Sequence, residues 1–95
     1  MAEEEKNCVY IGKKNTMNYC LVCVSMFQNQ AVDECIIRAR GRAISKAVDV
    51  AEITARRFLP AIVEIADVKI GSEELESADK VKVVSTIDIV LRRKK

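Results

Sequence analysis

Basic side chains crowd around two turns in the first half of the chain, and their types suit an anion. Two lysines stand together in Gly12-Lys13-Lys14-Asn15-Thr16, and three arginines alternate with small residues in Arg38-Ala39-Arg40-Gly41-Arg42, with Lys46 four residues later. Turns of this kind lead into helix N-termini, where exposed N–H groups and the helix dipole favour negative charge. We therefore predict a binding site for a repeated anion such as a phosphate backbone. A solvated basic turn is the alternative.

The four cysteines could form a different kind of site. Cys20 and Cys23 have C-x-x-C spacing, and Cys8 and Cys35 could complete a set of four zinc ligands. However, the first two fall within a helical apolar pattern and the other two within strand-like runs, where cysteine behaves as a small hydrophobe. We therefore expect core cysteines, with no metal and no cofactor.

Enzymatic chemistry has little support in the sequence. The chain has no histidine, which is the commonest general base at neutral pH. Gly12-Lys13 lacks the first glycine of a phosphate-binding loop of the G-x-x-x-x-G-K-[ST] type. Ordinary surface charge explains Asp49, Glu52, Glu64 and Asp67 better than a carboxylate site does. We predict that the protein is not an enzyme.

Length and charge indicate one small domain. Ninety-five residues with 49% apolar content can bury a modest core. Of the net charge of +2, residues 1–6 carry −2 and residues 7–95 carry +4, and the chain ends in Arg92-Arg93-Lys94-Lys95. We expect an acidic flexible tail at 1–6 and a single domain at 7–95. Since no signal peptide or membrane span is recognisable, a cytoplasmic location and no membrane partner are expected.

The elements that must position the basic residues follow from hydrophobic periodicity. The pattern predicts strands at 7–12, 33–40, 62–70 and from 81 onward, helices at 17–28 and 42–59, and a polar connection at 71–80. A shift of the apolar face near Ala66 predicts a bulge or strong twist in the third strand. The expected fold is α+β, a two-layer sandwich with order β-α-β-α-β-β. It has a four-stranded mixed sheet, two helices on one face and a long hairpin between the third and fourth strands.

Both predicted helices show more apolar surface than one sheet covers. The first has a second stripe of Tyr19, Cys23 and Met26, and the second offers Val50 and Ile53 away from its main stripe of Ile44, Ala47, Val48, Ala51, Ala55, Phe58 and Leu59. Surplus apolar area of this kind indicates a protein partner. We predict a homodimer.

Four runs of residues carry a resemblance to a known family. They are Ile11-Gly12-Lys13-Lys14 followed by Met17-Asn18-Tyr19, the central run from Arg38 to Asp49, Arg57-Phe58-Leu59-Pro60, and Val84-Ser85-Thr86-Ile87. This pattern, spread over nearly all of residues 7–95, resembles the archaeal Alba chromatin proteins. The resemblance implies a chromosome-associated homodimer that coats and compacts double-stranded DNA, and binds RNA, with little sequence preference.

The resemblance also implies roles for individual residues. Lys13 and Lys14 would lie at the centre of the nucleic-acid surface and would be candidates for acetylation, with Arg40 and Arg42 flanking them. Phe58 would join one dimer to the next on DNA. From its spacing alone, Phe58 could equally complete the core stripe of the second helix.

Two departures from the family pattern affect these expectations. Asn15 stands where many members have proline after the lysine pair. The hairpin tip, residues 73–79, is acidic, whereas in the family this arm reaches along a DNA groove and is often basic; only Lys80 and Lys82 could serve there. An RNA-directed role, as an RNA chaperone or ribonucleoprotein subunit, remains the alternative function.

Overall fold

The predicted order of elements is confirmed over residues 7–95, which are the residues that the computed structural model describes. The predicted acidic tail, residues 1–6, lies outside them. The elements are β1 (Cys8–Tyr10), α1 (Thr16–Gln28), β2 (Glu34–Arg40), α2 (Ile44–Ile53), β3 (Val63–Glu76) and β4 (Val81–Arg93). The fold is α+β, with one mixed sheet and helices over one of its faces.

The four strands lie in the order β1-β2-β4-β3. β1 and β2 are parallel, as expected for strands joined by a helical crossover, and the other two pairings are antiparallel. Alternate residues of the central strands point towards the helices and are buried: Cys35, Ile37, Ala39, Ile87, Ile89 and Leu91. The residues between them, including Arg38 and Arg40, therefore lie on the face of the sheet without helices.

Polar side chains fix both ends of α1. The Asn15 side chain accepts a hydrogen bond from the N–H of Asn18 at 2.9 Å, which satisfies one of the free donors of the first turn. At the other end the Arg93 guanidinium donates to the carbonyl oxygens of Phe27, Asn29 and Val32. The C-terminal end of β4 is thus attached to the end of α1.

The second helical segment changes its winding twice. A 3₁₀ turn (Gly41–Ala43) precedes α2, and Gly41 supplies the positive φ of 58° that the change from strand to helix requires. After α2 the chain makes a π-helical turn (Thr54–Phe58), in which the N–H of Leu59 donates to the carbonyl oxygen of Thr54 at 2.9 Å. The prediction of one continuous helix from 42 to 59 was therefore wrong at both ends.

Burial along α2 and the π-helical turn also corrects the predicted stripe. The buried positions are Ala47, Val50, Ala51, Thr54 and Ala55, spaced three and four apart. Val50, expected among the surplus apolar residues, is fully buried, whereas Val48, expected in the core, is 41% exposed. Cys23, placed in a second stripe of α1, is fully buried as well.

The hairpin is longer than its sequence pattern suggested. The register shifts between Ile65 and Asp67, which confirms the predicted bulge. β3 continues to Glu76, so the expected polar connection at 71–80 is reduced to a turn at 77–80. Solvent-exposed strand residues need no apolar alternation when a complete ladder of backbone hydrogen bonds holds them, and this is why the pattern failed there.

The cysteines lie in or beside the core, as predicted. Cys20, Cys23 and Cys35 are fully buried, Cys8 is half-buried, and none of the four forms a disulfide. Burial raises the pKa of the Cys20 thiol, and the hydrogen bond with Cys23 together with burial raises that of Cys35. Among residues 7–95, no cluster of histidine, cysteine or acidic side chains is arranged to hold a metal ion.

Candidate nucleic-acid interface

The two adjacent lysines lie in the connection that leaves β1. We call Gly12, Lys13 and Lys14 the lysine loop. The N–H of Ile11 donates to the carbonyl oxygen of Arg38 at 2.9 Å, so the loop starts beside the C-terminal end of β2. Lys13 and Lys14 are both exposed, and within the described chain neither forms an ion pair. Two positive side chains therefore face solvent without a carboxylate partner among residues 7–95.

The backbone of the lysine loop is held from two sides. The hydroxyl oxygen of Tyr19 accepts hydrogen bonds from the N–H groups of Gly12 at 2.9 Å and Lys14 at 3.2 Å. The Lys46 ammonium donates to the carbonyl oxygens of the same two residues, at 2.8 and 2.7 Å. Lys46, predicted as a phosphate ligand, thus spends two of its three N–H donors on the protein itself.

Two arginines occupy the helix-free face of β2. We call Arg38 and Arg40 the arginine strand. Arg38 Nη1 donates to the Tyr10 hydroxyl at 3.3 Å, and Arg38 Nε lies 3.4 Å from Asp88 Oδ1. The hydrogen bond with Tyr10, with smaller contributions from Cys8 and Asp88, raises the pKa of the Arg38 guanidinium against the opposing effect of desolvation. This arginine is therefore a permanent cation with partners on both sides.

Arg40 is paired with a carboxylate of the hairpin. Its Nη1 lies 2.7 Å from Glu73 Oε1, across the intervening strand β4. Both side chains are about half exposed, at 57% and 48%. Exposed pairs of this kind contribute roughly 0–1 kcal/mol. A phosphate can therefore compete with Glu73 for this arginine, although at some cost.

The arginine strand borders an open groove of about 620 Å³ on the helix-free face. Arg38, Arg40, Glu73 and Asp88 all line it, so two cations and two carboxylates share one concavity. Arg42, in the 3₁₀ turn just beyond, is exposed and has no ion pair within the described chain. Arg42 thus resembles the lysines of the loop more than it resembles its neighbours in β2.

The remaining predicted contacts lie apart from this cluster. Lys82 pairs with Leu75 and Lys80 lies in the hairpin turn, both beyond Thr86, the last β4 residue that pairs with β2. Glu73, Glu74, Glu76 and Asp79 lie within a few positions of them along the same hairpin. The structure therefore places these two lysines in acidic surroundings, at a distance from the lysine loop.

The basic run at the end of the chain is mostly engaged in structure. Arg92 pairs with Glu34 at 2.7 Å, Arg93 binds the carbonyl groups at the end of α1, and the Lys94 ammonium donates to the carbonyl oxygen of Pro60 at 2.7 Å. Net charge read from the sequence therefore overstates the cations available to a ligand.

Phe58 lies at the end of the π-helical turn and is 41% exposed. The wider winding of that turn rotates residue 58 away from the stripe that an unbroken α-helix would have continued. At this exposure Phe58 is not a core residue, and its ring is accessible to another molecule.

Two of the carboxylates considered for catalysis have partners in the structure. Of the four carboxylates considered for catalysis, Glu52 pairs with Arg56, and an oxygen of Asp67 accepts the N–H of Val68. No helix within residues 7–95 is both long and apolar enough to cross a membrane.

Comparisons with known proteins agree with the arrangement. The family model described as Alba matches residues 7–72. The DNA/RNA-binding protein Alba 1 of Archaeoglobus fulgidus is 47% identical over 89 residues, covering 94% of this chain and 98% of that protein. The structure of Alba from Thermoplasma volcanium superposes with a TM-score of 0.84 at 44% identity, over 92% of this chain and all of that one. ALBA1 from Trypanosoma brucei, at 18% identity and a TM-score of 0.71 over 95% of this chain and 71% of that one, shares the fold.

Proposed function

This chain belongs to the Alba family, and on that premise we propose that it is a chromatin protein that binds DNA and RNA through their phosphate backbones. The observation that carries the proposal is the lysine loop, which presents two exposed cations with no ion pair among residues 7–95, beside the arginine strand and the turn that holds Arg42. The relative from Archaeoglobus fulgidus, named as a DNA/RNA-binding protein, supports it.

Binding of this kind comes from charge and not from base recognition. Lysine and arginine side chains that neutralise phosphates release condensed counterions, which supplies affinity without sequence information. The aromatic content of 4% is too low for a platform on which single-stranded bases stack. The proposed contacts are Lys13, Lys14, Arg38, Arg40 and Arg42, with Lys80 and Lys82 of the hairpin as weaker contributors. Lys46 belongs to the site through its hydrogen bonds to the loop backbone.

Double-stranded DNA is the proposed main target, and structured RNA is the alternative. Both present a phosphate backbone to the same cations, so affinity must be compared at one salt concentration. We expect a mixed-sequence 30-base-pair duplex to bind at least as tightly as a hairpin RNA of similar charge, and with equal affinity for unrelated DNA sequences. Tighter binding to the RNA would favour the RNA chaperone or ribonucleoprotein role. Binding to neither would refute the proposal.

The binding unit is proposed to be a homodimer. The hairpin extends past the helices, and on the same sheet face it exposes an apolar strip there: Val68, Ile70, Val81 and Val83. Ile70 is 83% exposed. A standard interface buries about 800 Å² per partner, and this strip supplies apolar area for it. Sedimentation at micromolar concentration without nucleic acid should report twice the chain mass, and a stable monomer would contradict the dimer.

Dimers are proposed to associate side by side on DNA through Phe58. Replacement of a half-exposed phenylalanine should leave the isolated dimer nearly as stable while it reduces the cooperativity of coating. Thermal unfolding and a binding isotherm on long DNA, both measured on Phe58→Ala, test this. A loss of about 3–5 kcal/mol in stability with unchanged cooperativity would instead assign Phe58 to the core.

Lys13 and Lys14 are also proposed as acetylation sites of a protein located on the chromosome in the cytoplasm. Acetylation removes the positive charge of lysine and with it a phosphate contact. Both side chains are exposed, so a modifying enzyme can reach them. Mass spectrometry of the native protein tests this, and unmodified lysines at both positions would contradict it.

A further inference from the structure

Four hydrogen bonds converge on the backbone of the lysine loop, and none of them uses a lysine side chain of the loop. Tyr19 accepts from the N–H groups of Gly12 and Lys14, and Lys46 donates to the carbonyl oxygens of the same residues. The Lys46 ammonium also lies 6.0 Å from the centre of the Tyr19 ring. We name Tyr19 and Lys46 together the loop clamp.

We propose that the loop clamp positions Lys13 and Lys14 for phosphate binding, and that Lys46 acts through the loop without contacting phosphate itself. The inference rests on the proposed function and deepens it. Two residues, one from α1 and one from α2, thereby become positioning residues for a site that neither occupies.

The geometry of the clamp supports a positioning role. The loop has no regular secondary structure, so without tertiary contacts its backbone would sample many conformations. Satisfying both the donors and the acceptors of residues 12 and 14 fixes the peptide groups on each side of Lys13. Binding then costs less ordering of the protein, which raises affinity without adding any contact.

Glycine at position 12 is part of the same arrangement. A Cβ atom at this position would lie 3.3 Å from the Tyr19 hydroxyl oxygen, which is a tight approach. The missing side chain therefore lets the hydroxyl reach the Gly12 N–H at hydrogen-bond distance. Gly12 thus provides the space that the loop clamp needs, and Tyr19 and Lys46 provide its polar groups.

The charge of Lys46 is poorly placed for a second role at the phosphate. A lysine ammonium has three N–H donors and no acceptor, and two of these donors already point at carbonyl oxygens of the loop. A phosphate bound directly to this group would have to compete with both carbonyl groups. Lys13 and Lys14 have no such competitor within the described chain.

The test uses Tyr19→Phe, which removes the hydroxyl while keeping the ring and the net charge, and Lys46→Met. Lys95→Met removes one positive charge at the opposite end of the sheet and is the matched control. Each substitution is made in two backgrounds, one with Lys13 and Lys14 intact and one with Lys13→Ala and Lys14→Ala. Affinity for a mixed-sequence 30-base-pair duplex is measured in both. Amide hydrogen exchange at Gly12 and Lys14 reports whether the loop has loosened, and thermal unfolding reports whether the variants are folded.

We expect Tyr19→Phe to accelerate exchange at both amides and to weaken binding about three- to tenfold, the factor that about one net hydrogen bond is worth. Lys46→Met should weaken binding by a similar factor. Once Lys13 and Lys14 are alanine, Tyr19→Phe should not weaken binding further, and Lys46→Met should weaken it no more than Lys95→Met does. Lys95→Met should have a smaller effect in both backgrounds.

Two results would overturn the inference. If Lys46→Met weakened binding equally with and without the loop lysines, Lys46 would be a direct phosphate ligand. If Tyr19→Phe left affinity unchanged although the Gly12 and Lys14 amides exchanged faster, loop rigidity would not matter for binding. A failure of the proposed function has a different signature, because then replacement of Lys13 and Lys14 would itself have no effect.

Discussion

The lysine loop and the arginine strand lie side by side at one end of the sheet, but different groups surround their cations. In the loop, hydrogen bonds hold the backbone and leave both ammonium groups in solvent. In the strand, the guanidinium groups themselves are engaged, Arg38 with Tyr10 and Asp88 and Arg40 with Glu73. A phosphate meets available charge at the loop, whereas at the strand it must displace or share a carboxylate.

The comparison teaches that a basic surface cannot be read from its lysine and arginine residues alone. Arg40 and Arg42 flank Gly41 in the sequence, yet Arg40 has a carboxylate partner and Arg42 has none within the described chain. Because exposed ion pairs are worth roughly 0–1 kcal/mol, the carboxylates reduce the contribution of the arginine strand but do not abolish it. We expect the loop to dominate affinity and the strand to adjust it.

The largest effect should come from removing the loop lysines. Lys13→Ala with Lys14→Ala takes four phosphate contacts from a dimer, so affinity for every DNA sequence should fall on the order of a hundredfold or more at 100 mM salt. The plot of log affinity against log salt should become shallower by roughly four. Lys95→Ala with Lys94→Ala removes as much charge elsewhere and should cost less. An unchanged slope in the loop variant would contradict the claim that the loop lysines bind phosphates and dominate affinity.

Freeing Arg40 should have a smaller and opposite effect. Glu73→Gln removes the carboxylate partner of Arg40, so affinity for duplex DNA should rise about two- to fivefold, the factor that a surface ion pair is worth. Glu74→Gln is the matched control, because it changes net charge equally but lies opposite Val83 on the other face of the hairpin. Equal gains from the two changes would mean that only general charge matters and that the Arg40–Glu73 pair does not compete with phosphate.

Gly41, which lies between Arg40 and Arg42, should affect the stability of the fold. Its φ of 58° is strained for any residue with a Cβ atom, while no atom lies within 4 Å of the position that the Cβ atom would take. Gly41→Ala should therefore cost about 1 kcal/mol through the backbone alone, or about 4–8 °C in Tm. Calorimetry would measure this. No loss would show that the turn relaxes, and that the separate environments of Arg40 and Arg42 do not depend on it.

The smallest effect is expected at the hairpin. Lys82→Ala removes a cation that lies near Glu73, Glu74 and Glu76, so its contribution to the field at a phosphate is partly cancelled. Affinity should fall less than for any loop lysine in the same assay. If Lys82→Ala weakened binding more than Lys13→Ala, the hairpin and not the loop would be the main contact.

Much of this fold was predictable because periodic burial dictates it. The element order, the mixed sheet, the bulge near Ala66 and the core cysteines follow from apolar spacing. The extension of β3 to Glu76 did not, since backbone hydrogen bonds and not apolar alternation hold it. Val48 was predicted in the core in place of Val50. Several sets of positions in this helix have spacings of three and four, and the sequence does not say which set faces the sheet.

The basic residues of the site could be predicted from the sequence, but their hydrogen-bond and ion-pair partners could not. The lysine pair and the arginine run are evident from residue types, but their partners come from distant parts of the chain. Glu73 lies 33 residues from Arg40, and Lys46 lies 34 from Gly12. The role of the Tyr19 hydroxyl could not be predicted, because Tyr19 occupies an apolar position in the helix pattern. Only the fold brings these groups together.

The central claim is that the exposed loop cations bind phosphates by releasing counterions, and the salt dependence of the unmodified protein tests it most directly. Affinity for a mixed-sequence duplex should be measured at several salt concentrations between 50 and 200 mM. For about six to ten phosphate contacts per dimer, affinity should fall roughly 10³–10⁵-fold over this range. An affinity that stays flat across the same range would contradict the account.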